Sequence, residues 1–574
     1  MVKQAPAAPI CTALLLVCAS GLPAQTVEQK PSPVSRTASS AVPRGSITTP
    51  ILLRHATLLD GVNPAPKRDV AITLRGGRIE SVRPDGAAKK PGASAPDSVI
   101  DLRGGWVVPG LIDAHAHLGA SRAWGEPDSV AAQRALDAGV TTVRSMGNVP
   151  GFGDAALSER FREGSARLPR VLAAGEWVIP LVSEEWLRDF PTVRALLTPA
   201  AAADSALRLF PGPAWQLGGN AAAIDSVVGL LAARGAAWVK VFATGRGGIA
   251  SSDPRTPLLD ANDLRTAALA ASKRGLQVAA HAYTDDGIRT AVLAGVRTIE
   301  HGAFASEESL RLMRERGVCL VPTLSAYDQQ SPDSVARARA GEMRAAAQRA
   351  VRAARDIGVP VVAGTDMAYS PGARGLAAEL AALVTAGLSA DDALRAATSQ
   401  AAACLGLADR IGRVAPGLEA DLLVLDADPR SDLSLLDRPR VVILQGRLVR
   451  RVPLADVIHS ILADQGIDAA RARAVALHRS RVDSLRYGEY ELIALGARLG
   501  MDGRIPEALA MFEVNAQVYP DAPNAWDALG QALLMVRRRD DARQAFARAV
   551  ELAEKQGHPR LPQFRAKLER MTRP

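Results

Sequence analysis

Six residues of metal-binding type each close a short apolar run: His115, His117, Lys240, His281, His301 and Asp366. His115 and His117 stand two apart at the end of Val107-Val108-Pro109-Gly110-Leu111-Ile112-Asp113-Ala114-His115-Ala116-His117. On a strand, that spacing puts both imidazoles on one face, about 6.6 Å apart along the chain. Taken alone, the pair reads equally as two metal ligands or as two unrelated histidines near a turn. Lys240 is flanked by Val239 and Val241. An ammonium in an interior strand is costly unless it is neutralised or paired. His281 ends Val278-Ala279-Ala280, His301 follows Ile299-Glu300, and Asp366 follows Val362-Ala363-Gly364-Thr365. The remaining histidines, His55, His459, His478 and His558, lie outside this set and are read as structural. Any one strand-end histidine is ordinarily a satisfied core residue; six such residues at one end of one fold imply a metal centre.

For these side chains to meet, their strands must all end on the same side. Between residues 107 and 366, short apolar runs alternate with Ala-rich helical ones. The strand-like runs are 107–112, 140–145, 170–174, 238–243, 277–281, 298–300, 319–323 and 360–364. Eight such units predict an α/β fold, a parallel (β/α)8 barrel of the TIM type, whose chemistry gathers at the carboxyl ends of its strands. An open doubly wound sheet is the alternative, and its glycine-rich phosphate loop is missing here. Residues 49–106 read as short strands separated by Asp60-Gly61 and Gly76-Gly77, and 409–452 return to the same grammar. The helical barrel segment is expected over 107–408.

The chain has 574 residues, so two or three domains are expected. Residues 1–24 have the form of a cleaved signal peptide: Lys3, an apolar core over 10–19, and Ala24 before Gln25. Periplasmic or secreted localisation follows. A lipid anchor on Cys18 is the weaker alternative, because Leu15-Leu16-Val17 lacks a small residue before the cysteine. Residues 25–48, rich in Pro, Ser and Thr, read as a disordered linker. No later run is long and apolar enough for a transmembrane helix. The formal charge of +9 comes from arginines dispersed along helices, so nucleic-acid binding is not expected. Beyond the leader only Cys319 and Cys404 remain. They are read as buried thiols, with no reliance on a disulfide framework.

The order His-x-His, Lys, His, His, Asp, with phrases such as Ile299-Glu300-His301-Gly302 and Ala363-Gly364-Thr365-Asp366, resembles the amidohydrolase superfamily, most closely its imidazolonepropionase-like and Xaa-Pro dipeptidase branch. Ser145 departs from that branch, where Asp often follows the Arg. The resemblance implies a barrel beside a composite β-sandwich built from 49–106 and 409–452. It implies two divalent metals, Zn being the expected one: His115, His117 and Asp366 on the first, His281 and His301 on the second, and Lys240, carboxylated by CO2, bridging both. Glu176, at the end of the third strand, is an alternative bridging carboxylate. A water activated between the metals would attack a carbonyl, with Asp366 taking its proton and returning it to the leaving amine. The expected reaction is hydrolysis of a C–N bond in a dipeptide or N-acyl amino acid; a cyclic amide, lactone or phosphoester is the alternative. Tyr283, two residues after His281, is a candidate substrate contact. So is Arg246, in a glycine-rich loop, and so is Arg144, which reads equally as a tie between strand ends.

Residues 453–488 read as a helical linker and 489–574 as something further. Positions 34 apart match: Leu492/Trp526, Leu495/Leu529, Gly496/Gly530, Leu499/Leu533, Ala508/Ala542 and Phe512/Phe546. This period resembles tetratricopeptide repeats, with a capping helix around 561–571. The resemblance implies a protein-partner surface, a folded spacer or a dimerisation element. A non-catalytic binding protein working through these repeats is the rival to the enzyme reading, and the intact ligand set speaks against it.

Overall fold

The computed structural model describes residues 50–86, 98–119, 127–147, 153–165, 167–178, 221–245, 253–328, 334–369, 375–449, 452–480, 485–558 and 560–572. The expected leader, the linker over 25–48 and Arg246 lie outside these residues.

The chain opens with β1 (Ile51–Leu58), β2 (Lys67–Arg75), β3 (Arg78–Pro84), β4 (Ser98–Asp101) and β5 (Trp106–Pro109). Then β6 (Leu111–Ala116), β7 (Val140–Ser145) and β8 (Arg170–Ala173) form one parallel sheet. A second parallel sheet holds β9 (Trp238–Phe242), β10 (Gln277–Ala282), β11 (Thr298–His301) and β12 (Cys319–Val321). The chain returns to its first sheet with β13 (Leu422–Leu425), β14 (Val441–Leu444) and β15 (Arg447–Leu448), giving the order β15-β14-β13-β5-β1-β2-β3 with β4 on β1. Strands from both flanks of the parallel region thus share one core, where Leu53, Ile72 and Leu74 meet Leu422, Val424 and Ile443.

The run 107–112 is not one strand. It divides at Pro109-Gly110: β5 pairs with β13 and β1, and β6 pairs with β7. Pro109 has no N–H to continue a ladder. Gly110 sits so close to the neighbouring strand that a Cβ there would fall 2.3 Å from Thr141 Oγ1. The chain changes sheets where only a glycine fits.

Helices return between the parallel strands. Asp260, Thr284 and Ser306 cap three of them by accepting from main-chain N–H groups of the first turn. Single parallel bridges join the two sheets' surroundings: Val178 to Val241, Leu320 to Val361, and Ala116 to Met367. The predicted strand 360–364 forms no ladder. It is stitched by Val362 N–H to Leu320 O on one side, and on the other its Ala363 O accepts from Ala114 N–H. Its continuation is drawn into a turn, since Thr365 and Asp366 donate to Asp113 and to His115 O.

Cys319 and Cys404 correct the sequence reading. They form a disulfide between β12 and the helix Ser399–Cys404, with Cα atoms 6.3 Å apart and 85 residues between them in sequence. Only the folding of that helix under the sheet brings the two thiols together.

After β15 come Leu454–Ser480, broken at Gly466, and then Glu489–Met501, Ile505–Val518, Pro523–Met535, Arg539–Gln556 and Leu561–Thr572. One contact recurs 34 residues apart. A Cβ on Gly496 would lie 2.8 Å from the Phe512 ring, and one on Gly530 would lie 2.7 Å from the Phe546 ring. Each phenylalanine therefore fills the space that a glycine leaves on the preceding helix. An Arg134–Glu491 ion pair, 3.8 Å long, links this array to the parallel-strand region. Among the described residues, no helix is long and apolar enough to cross a membrane.

Candidate metal centre

All six sequence-selected ligands arrive at one place. β6 carries His115, with His117 just beyond it; β9 carries Lys240, β10 His281 and β11 His301. His115 Nε2 lies 3.2 Å from Asp366 Oδ1 and 3.5 Å from Lys240 Nζ, and His117 Nε2 lies 2.9 Å from the same Asp366 oxygen. The His281 and His301 rings are 4.5 Å apart, and His115 is 5.3 Å from His301. Ligand atoms of His115, His301 and Asp366 all fall within 4.8 Å of one another, a grouping that could hold a metal ion.

The imidazoles are held from behind. His115 Nδ1 meets Glu300 Oε2 at 2.6 Å, His117 Nδ1 meets Gly147 O at 2.7 Å, and His301 Nδ1 meets Thr323 Oγ1 at 2.7 Å. Each contact turns the ring's Nε2 toward the centre, as partners behind metal-bound histidines do. His281 stacks on Phe242 and faces Gly245 O through Nε2 at 3.1 Å.

Burial pushes the Asp366 carboxyl up, but His115 and His117 outweigh it and hold the group well below the usual carboxylate range. Burial lowers His117, and burial with His281 lowers His301 further, so both rings favour the neutral form a metal requires. His301 and Asp366 adopt left-handed backbone, at φ 73° and 56°. Such conformations are costly for residues with a Cβ and persist where surroundings enforce them. Asp366 N–H is held by His115 O, and Asp113 fastens the residues on either side of that contact. The Asp113 carboxylate accepts from His115 N–H, from the Thr365 N–H and hydroxyl, and from the Tyr369 hydroxyl.

Of the substrate candidates, Tyr283 lies in the cluster, stacked on His301 at 4.9 Å and edge-on to His281. Arg144 is fully buried between strands, donating to Ala114 O, Thr298 Oγ1 and Glu300 Oε1. Its guanidinium meets strand neighbours, which is the tie between strand ends and not a substrate contact. Arg246 lies outside the described residues. Sequence reading passed over Asp113, Glu300, Thr323 and Tyr327. Glu300 was legible by the argument already applied to Lys240, since it is a charge inside an apolar strand. Tyr327, in the turn Leu324–Asp328 after β12, is held protonated by burial and by the neighbouring Tyr283; nothing in its sequence context marks it.

The sequence model of the amidohydrolase family matches residues 106–449. The chain belongs to this family. The match contains all six candidate ligands and ends before the C-terminal helices. An uncharacterized protein of Mycobacterium tuberculosis is 32% identical over 377 residues, 63% of this chain and 90% of its own. Ochratoxinase of Aspergillus niger is 26% identical over 366 residues, 58% of this chain and 73% of its own. Among solved structures, a Xaa-Pro dipeptidase with methionine bound in its active site superposes with a TM-score of 0.60 at 25% identity, covering 70% of this chain and all of that one. This amidohydrolase is an enzyme acting on carbon–nitrogen bonds, and its His/Asp cluster accords with the metal dependence general in the family.

Proposed function

We propose that this amidohydrolase cleaves the amide bond of a dipeptide or N-acyl amino acid at a binuclear metal centre. The observation that carries the reading is the convergence of six side chains from five parts of the chain, three of them imidazoles turned inward by hydrogen bonds at Nδ1. The donor set fits: His115, His117 and Asp366 would hold one ion, His281 and His301 the other, and Lys240, carboxylated at Nζ, would reach both. An imidazole and carboxylate donor set suits Zn. When bound, the two ions supply an acidified water and a polarised substrate carbonyl. Asp366 accepts the proton of the attacking water at its carboxylate and passes it to the leaving amine nitrogen. Tyr283, stacked on His301, is the residue we assign to hydrogen-bond the substrate, with Arg246 the candidate to meet an anionic group.

The same reading extends to the whole chain. The single bridges and the hydrogen bonds of 360–364 support closure of the two parallel sheets into a (β/α)8 barrel, beside the composite β layer. The repeated Gly–Phe contacts support tetratricopeptide-like pairing in the C-terminal array. The leader-like N-terminus and the Cys319–Cys404 disulfide both suit an oxidising compartment outside the cytoplasm.

The test is metal content and turnover of the purified protein and of Lys240→Ala. Wild type is expected to hold two metals per chain and to hydrolyse members of a dipeptide and N-acyl-amino-acid library. Lys240→Ala is expected to lose metal and activity together. Two metals and full activity in Lys240→Ala would refute the carbamate bridge. Metal-loaded wild type that turns over only cyclic amides, lactones or phosphoesters would refute the substrate class.

A further inference from the structure

We propose that Glu300 is a positioning residue for metal capture, with Arg144 as its counter-charge: together they hold His115 in the tautomer that presents Nε2 to the metals. The inference rests on the metal site proposed above. It starts from a difference among the three histidines anchored at Nδ1. His117 leans on a main-chain carbonyl and His301 on a hydroxyl, whereas His115 leans on a carboxylate. A carboxylate can only accept, so His115 Nδ1 carries the proton donated to Glu300, and Nε2 is the atom left facing Asp366 and Lys240, where a metal would take the place of any second proton.

The way Arg144 binds Glu300 separates a positioning role from a merely structural one. An arginine pairing with a carboxylate for its own sake favours the two-pronged geometry, both oxygens meeting one guanidinium. Here Arg144 takes a single oxygen. Its Nη2 donates to Glu300 Oε1 at 2.8 Å, its Nη1 donates to Thr298 Oγ1 at 2.9 Å, and its Nε donates to Ala114 O. The Thr298 hydroxyl also meets Oε1. Every neutralising contact thus falls on one side of the carboxylate, and Oε2 is left to His115 at 2.6 Å. The arrangement is rigid, because Glu300, Arg144 and His115 are all essentially inaccessible and the guanidinium lies 4.4 Å over the Trp238 ring. Arg144 is therefore a supporting residue of the centre, one side chain removed from it.

The test compares wild type, Glu300→Gln and the charge-free pair Arg144→Gln/Glu300→Gln. Glu300→Gln leaves Arg144 buried without its partner and so risks misfolding; the double variant removes both charges and keeps the comparison sound. Zinc affinity is measured on metal-stripped protein by competition with a chromophoric chelator, with metal-free melting as the fold control. The His115 tautomer is read from 15N ring shifts in histidine-labelled protein. The double variant is expected to melt near wild type, to bind zinc roughly 10–100-fold more weakly, and to lose the uniform Nδ1–H signature of His115. Wild-type zinc affinity and tautomer in the double variant would overturn the positioning role. Failure of wild type itself to bind zinc would instead sink the metal-site reading on which this one rests.

Discussion

Two buried arginines on adjacent strands do different work. Arg144, on β7, is tied to Glu300 at the metal end of the parallel strands. Arg170, at the start of β8, donates to Glu419, to Asp421 at 2.9 Å and to Thr142 at 2.7 Å, where the parallel strands meet the mixed sheet. Both are nearly inaccessible and both are neutralised. The difference lies in what the carboxylates do with their other oxygens. At Arg170 they go to structural partners: Glu419 accepts from Arg410, and Asp421 accepts from Gln445 N–H. At Arg144 the other oxygen reaches His115 of the candidate metal centre. A buried ion pair is therefore no sign of function in itself, and the atom beyond the pair decides. The Arg170 cluster bolts two sheets together, while the Arg144 cluster presents a ring.

The contrast makes sharp predictions. Damage at the metal end is expected to cost activity and spare the fold. Asp366→Asn should lower kcat/KM by at least about 10³-fold, since a residue that shuttles protons and holds a metal is lost, with the metal-free protein still folding cooperatively. A drop below tenfold would remove Asp366 from the chemistry. Damage at the bolt should do the reverse. Arg170→Met strands two buried carboxylates and is expected to destabilise by about 3–5 kcal/mol in urea unfolding, with unchanged kcat/KM for the molecules that remain folded. Equal loss of activity per folded molecule would erase the distinction between the clusters.

The disulfide is a second structural tie. Cys319→Ser/Cys404→Ser should lower stability by about 2–4 kcal/mol without altering zinc content; loss of zinc would place the disulfide among the supports of the centre. The smallest effect concerns Glu379, which accepts from Leu324 and Ser325 N–H and so holds the turn that carries Tyr327. Burial pushes its carboxyl up to about 7 from 4.5. The folded state holds this proton more tightly than the unfolded chain. The group's contribution is thus complete below pH 4.5 and is lost as pH rises through 7. Stability should fall by about 2–3 kcal/mol across that window, and Glu379→Gln should flatten the slope. An unchanged slope in the variant would show that other groups set it.

How much of this was legible beforehand differs from residue to residue. The candidate ligands stood out because each is a metal-binding type at the end of an apolar run, and the ends of parallel strands share one side of a sheet. Lys240 was the clearest, a charge in an interior strand. Glu300 obeyed the same logic and was passed over because His301 beside it drew the assignment. The division at Pro109-Gly110 hid inside a continuous apolar run, where hydrophobicity cannot tell one strand from two.

By itself the sequence determined which six residues were candidates for one site, the alternation of strands and helices, and the 34-residue period of the C-terminal array, because all three are written in local residue type and spacing. Tertiary structure alone decided the rest: that Arg144 meets Glu300, and that Cys319 meets Cys404. Those partners lie 156 and 85 residues apart. Their pairing depends on which faces the strands and helices turn toward one another, a property of packing that no local pattern encodes.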